Sequence, residues 1–226
     1  MSSRTVALIT VVDGLATSLR ERILSGELKP GVPLSEVEVS QEYGIARPTV
    51  RAAVQRLIHE GLLVRQPNRS PVVPIFTPDD VRDIYFARKP LEREVLRVLA
   101  ERGEVPPAAA AQVAALEALP EDADWSKVVE ADLQFHLALL DAVGSPRLKR
   151  LFGLLDGEIR LCITQLQPGY DNPYQLAEEH QRLLDAIGAG DTKRAIALMD
   201  RHLDGTVVTL RRLAGEADGA ASSASG

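Results

Sequence analysis

Apolar residues recur three and four apart through most of the chain, the spacing that lets a helix bury one face. After residue 76 the pattern predicts helices at about 78–102, 107–119, 125–143, 146–166, 173–188 and 191–214. Pro106-Pro107, Pro120, Gly144-Ser145-Pro146, Pro168-Gly169 and Gly188-Ala189-Gly190 separate them. Thr77 can cap the first of these, Pro78 suits its first turn, and Asp79 and Asp80 favour its positive end. Pro90 lies inside it and is expected to kink it. Six helices with short links predict an antiparallel bundle.

Four polar residues interrupt the apolar faces. Asp132 and His136 stand in the run Val128 to Leu140. His180 shares a stripe with Leu176, Leu183, Leu184 and Ile187, and His202 shares one with Met199, Leu203, Thr206 and Leu210. Burying such groups is costly unless something pairs them.

Before residue 76 the elements are shorter. Leu15 to Ser25 reads as a helix, ended by Gly26 and the Lys29-Pro30-Gly31 turn. Ser35 and Glu38 form a capping box stapled by Leu34 and Val39, and open a helix that runs to about Tyr43. After Gly44, a third helix spans about Arg47 to Glu60. Helix, turn and helix at this spacing predict a helix-turn-helix. In the third helix Val50, Val54, Leu57 and Ile58 face inward. Arg47, Arg51 and Gln55 form an outward ridge beside Thr49, placed to meet base edges. Leu62 to Arg65 and Val72-Val73 read as two strands of a wing, with Asn68 and Arg69 at its tip. Arg69 can reach a phosphate or the minor groove. His59 reads as a packing or surface residue.

A proline cluster, Pro67, Pro71, Pro74 and Pro78, separates the two styles of sequence. The expected fold is mainly α: a winged helix-turn-helix over 1–75, then a helical bundle over 76–214. Residues 215–226, small and polar, read as a disordered tail. Residues 1–75 hold nine Lys/Arg against seven Asp/Glu, while the remainder is net acidic. That asymmetry fits a nucleic-acid module joined to something else. Aromatic residues make up 4% of the chain, too few for a stacking platform on single strands. The single cysteine, Cys162, reads as a buried thiol, and a reducing cytoplasm fits. The apolar segment Val6 to Val12 is short for a signal core, and nothing approaches the length of a membrane span.

Three motif-bearing stretches, Ile23 to Gly31, Leu34-Ser35-Glu36 and Tyr43 to Arg51, with Leu57 to Leu63 after them, resemble the winged helix-turn-helix of GntR-type bacterial transcription regulators. The second part resembles the helical ligand-binding domain of their FadR branch, the FCD domain. The marks are Arg88 with Leu91-Glu92, Asp132 with Phe135-His136, Glu179-His180, Ala186-Ile187, Gly190-Asp191, Ala195 and His202. Six helices rather than seven resemble the shorter, VanR-like subgroup. Some positions depart from the pattern. Ala46 stands where a capping serine is usual, Ala52 where glutamate is usual, and Ser70 where a wing glycine is common. Val37 replaces a DNA-contacting arginine of some members, whereas Arg47 and Arg51 match contact positions.

Independently of the resemblance, Asp132 and His136 share one helix face. His180 and His202 lie ten residues before and twelve after Gly190. In an antiparallel pair they come level to within about 3 Å. Three imidazoles and a carboxylate suit a divalent transition metal, with Zn the default and Ni, Mn or Fe possible. A hydrogen-bonded polar cluster without metal is the alternative. A small carboxylic acid can fill open coordination positions, held by Arg88, which matches the family's arginine, or by Arg160. The competing reading of Arg88 is a surface ion pair with Glu92. The function expected is a homodimeric regulator of a pseudo-palindromic DNA operator, responsive to a small acid at the metal. A metal-dependent enzyme and a direct metal sensor are the competing functions. Glu179 is the one nearby candidate base for the enzyme.

Overall fold

The computed structural model describes residues 10–166 and 173–224, so the Pro168-Gly169 break lies outside the described residues. The chain divides into two compact units, 1–75 and 76–226.

In the first unit, α1 spans Val11–Leu24, α2 Glu36–Tyr43 and α3 Arg47–His59. Helix α1 begins four residues before the expected start. The cause is a capping box: Thr10 Oγ1 accepts from the Asp13 N–H, and Asp13 in turn accepts from the Thr10 N–H. Val11 and Val12 therefore belong to the helix. Ser35 caps α2, and Gly44 closes it in the left-handed conformation at φ 64°. Ala46 precedes α3 with no side-chain cap. Leu15, Leu19 and Ile23 of α1 are buried with Val50, Val54 and Leu57 of α3, while Ile58 is only half-buried.

The wing is slighter than two full strands. Among the described residues it consists of isolated bridges. Val64 and Val72 exchange both backbone hydrogen bonds at 2.9 Å. Asn68 turns the chain at φ 60°, a conformation asparagine tolerates better than most residues.

The second unit comprises α4 (Pro78–Arg102), α5 (Pro107–Glu117), α6 (Trp125–Val143), α7 (Pro146–Gly153), α8 (Asp156–Leu166), α9 (Pro173–Gly188) and α10 (Thr192–Ala224). Among the described residues the expected six helices become seven, because 146–166 is interrupted at Leu154-Leu155. Gly153 weakens the helix there, and Asp156 and Glu158 favour a fresh positive terminus. The stretch from Gly215, expected as a disordered tail, is helical as far as Ala224. Its alanines carry a helix propensity that outweighs the small polar composition.

Helix α4 is continuous through Pro90. Pro90 and Phe86 both face solvent, so the carbonyl left without an N–H partner can be hydrated there. Helices α4 and α10 run antiparallel and pack extensively, and are pinned by Lys89–Asp204 and Arg93–Asp200 contacts at 2.7 Å. Helix α6 packs against α4 and α5, and α9 against α5 and α10. Helices α4, α6, α9 and α10 thus surround the four interrupting polar residues. No described helix is long and apolar enough to cross a membrane.

Candidate metal centre and nucleic-acid interface

Helix α6 contributes Asp132 and His136, α9 contributes His180 and α10 contributes His202. His136 and His180 are fully buried, and Asp132 and His202 retain 8% and 7% exposure. The Nε2 atoms of His180, His136 and His202 lie 3.2, 3.7 and 4.0 Å from Asp132 Oδ1. One ligand atom from each of the four residues lies within 4.8 Å of all the others. At metal–ligand bonds of about 2.1 Å, neighbouring donor atoms stand roughly 3 to 4 Å apart.

Hydrogen bonding bears on the two readings of this cluster. Asp132 Oδ1, His136 Nε2 and both His180 ring nitrogens are buried without a hydrogen-bond partner. His180 Nε2 is near enough to Asp132 but misaligned. A cluster built to satisfy itself does not leave its inward atoms orphaned, at a cost of about 1–3 kcal/mol each. A cation at their common centre satisfies Asp132 Oδ1 and one nitrogen of each imidazole. The residues therefore fit a metal.

Electrostatics agree. Burial pushes the His180 pKa down to about 4, leaving a neutral imidazole at neutral pH. Burial raises that of Asp132, but the neighbouring His136 and His180 rings outweigh it and hold the carboxyl well below its usual range. Phe135 lies flat on His180, ring centroids 3.8 Å apart.

Two carboxylates beyond the expected four residues back two of the histidines. Glu92 Oε2 lies 2.6 Å from His136 Nδ1, and Glu179 Oε2 lies 2.8 Å from His202 Nδ1. Glu179 therefore faces the back of His202. Both contacts join residues far apart in sequence, so periodicity gave no signal of them.

Arg88 does pair with Glu92, yet the pair is buried rather than on the surface, with the residues 1% and 2% exposed. Its Nη2 has no hydrogen-bond partner, and its guanidinium lies 5.3 Å from the Tyr85 ring centroid. Arg88, Asp132, His202 and Thr206 line a cavity of about 10 Å³, the space of one water centre. Arg160 does not line it. It is bound instead by Glu130, on the exposed side of α6.

In the first unit, Arg47, Arg51 and Gln55 are exposed along α3 and Thr49 is half-buried. Asn68 and Arg69 are exposed at the wing turn, and so is His59 at the end of α3. Arg51 Nε lies 3.6 Å from Glu36 Oε2, and Arg65 of the wing also pairs with Glu36.

Residues 83–205 match the FCD domain family, and residues 12–73 match the bacterial regulatory proteins of the gntR family. The chain is 23% identical to the HTH-type transcriptional regulator YdhC of Bacillus subtilis over 167 residues, covering 73% of this chain and 75% of that one. It is 37% identical to the HTH-type transcriptional repressor RspR of Escherichia coli over 79 residues, 35% of each chain. A crystal structure of a GntR transcriptional regulator from Rhodococcus superposes with a TM-score of 0.69 at 26% identity, covering 88% of this chain and 96% of that one.

Proposed function

The chain belongs to the GntR family of bacterial transcription regulators with an FCD domain, and from that premise we propose a regulator whose operator affinity is set at the Asp132/His136/His180/His202 centre. A divalent transition metal occupies it, with zinc the default for an N₃O set. The convergence of four buried donor groups, three of which have atoms without a hydrogen-bond partner, supports this reading. When bound, the metal supplies a positive centre for a small carboxylate.

The chain's own residues divide the remaining work. Arg88 offers its free Nη2 to the acid, and the surrounding apolar helices exclude water. Arg47, Arg51 and Gln55, with Thr49 beside them, read base edges; Asn68 and Arg69 meet the backbone or minor groove. The protein acts as a homodimer on a pseudo-palindromic operator, since two symmetric heads match a symmetric site. The acid's unequal affinity for two arrangements of the heads changes DNA affinity.

One observation favours a second reading, direct metal sensing. A cavity of about 10 Å³ has no room for an organic acid unless the helices part.

Purified protein is stripped with chelator, reloaded with zinc, and titrated onto operator DNA with and without a panel of small carboxylic acids. The proposal expects zinc uptake and a further change in DNA affinity with one class of acid. A response to zinc alone selects the sensor. Failure to take up any transition metal overturns both.

A further inference from the structure

The three imidazoles are not held alike. Behind His136 stands Glu92, 2% exposed and sealed by Arg88 on its other oxygen. Behind His202 stands Glu179 on the neighbouring helix, its side chain 42% exposed. Behind His180 no carboxylate stands among the described residues, and Phe135 covers its face. In the first two rings the carboxylate meets Nδ1 while Nε2 points toward Asp132.

A carboxylate opposite Nδ1 accepts that atom's N–H. The ring is then fixed in the tautomer whose Nε2 carries the lone pair, and its basicity rises. Resting on the metal reading above, we propose that Glu92 and Glu179 are positioning residues that fix His136 and His202 as Nε2 ligands. They make these two the strong ligands of the site and leave His180 the weak one. The two supports also differ. Glu92 is shared with Arg88 in the sealed core, so the arginine assigned to the acid and one metal ligand hang on a single carboxylate. Glu179 is reachable from solvent and ties α9 to α10 across the site.

Zinc affinity is measured by competition with a chromophoric chelator for the wild type, Glu179→Gln, Glu179→Ala and Glu92→Gln. Cobalt absorption spectra of each and the melting temperature of each metal-free protein accompany it. Glu179→Ala should lose roughly 10- to 100-fold in zinc affinity and shift the cobalt spectrum, with only a small fall in metal-free melting temperature because solvent reaches the vacated position. Glu179→Gln, whose amide oxygen still accepts the Nδ1 proton, should lose less. Glu92→Gln should lose at least as much as Glu179→Ala. Because it strands Arg88, its result counts only alongside the Glu179 variants, which sit in a half-exposed position. Glu179→Ala binding zinc within about twofold of wild type, with an unshifted cobalt spectrum, overturns the inference and leaves the metal reading standing. A wild type that binds no zinc overturns both.

Discussion

Phe135 and His180 lie face to face, ring centroids 3.8 Å apart and planes 4° from parallel, although they come from different helices. This stack orients the imidazole whose Nδ1 meets no carboxylate among the described residues. Phe135→Leu keeps an apolar side chain but removes the flat surface. It should destabilise the metal-free second unit by about 1–2 kcal/mol, through lost stacking and area. Zinc affinity should fall as well, because His180 becomes free to turn. Calorimetric melting and chelator competition read the two effects. Unchanged zinc affinity with a lowered melting temperature would show that the stack serves packing alone.

The Arg88–Glu92 pair is buried and bound also to His136, which makes its two halves unequal to lose. Arg88→Met leaves a carboxylate stranded in the core. Its cost should be near 3–5 kcal/mol, the range for breaking a buried pair from one side. Adding Glu92→Gln removes the stranded charge and should recover part of that loss. A double-mutant cycle by urea denaturation measures the coupling. Strict additivity of the two substitutions would show that they do not interact.

Metal-free stability should depend on pH with a sign set by His180. Burial holds its pKa at about 4, against about 6.5 in an unfolded chain. Between those values the unfolded chain binds more protons, so stability falls as pH drops through the window. His136 acts oppositely. Burial lowers its pKa, but the Glu92 carboxylate outweighs this and the net shift is upward. Its contribution is complete below about pH 6.5 and fades as pH rises through the raised value. His180→Phe removes only the first effect. Its melting temperature should fall less than that of wild type between about pH 6.5 and 5, with the alkaline limb unchanged. Parallel acid limbs would reject the assignment.

The cluster was legible in the sequence because its four residues violate helical apolar stripes, and a one-turn spacing and a tight turn at Gly190 bring them together. The Nδ1 partners were not legible. Glu92 and Glu179 sit in ordinary ion-pair contexts along the chain, and only three-dimensional packing turns them onto His136 and His202. Arg160, the second candidate to hold an acid, pairs with Glu130 of α6, again a contact between residues distant in sequence. Composition misjudged the stretch after Gly215, where alanine continues α10 to Ala224.

The reading face invites a test that separates base contacts from backbone contacts. Arg51 extends from the first turns of α3 and stands 3.6 Å from Glu36, which also holds Arg65 at the base of the wing. If Arg51 reads a base edge, Arg51→Ala should weaken operator binding by about 1–3 kcal/mol while leaving non-specific DNA less affected. Arg69→Ala at the wing turn should weaken both kinds of DNA alike and reduce the salt slope by about one. Fluorescence anisotropy on operator and scrambled duplexes across a salt series distinguishes these. Glu36→Gln adds a third term. It releases Arg51 and Arg65 together, so specificity should fall while the salt slope holds, because no positive charge is lost. A Glu36→Gln protein with wild-type discrimination between the two duplexes would show that Arg51 finds its base without that anchor.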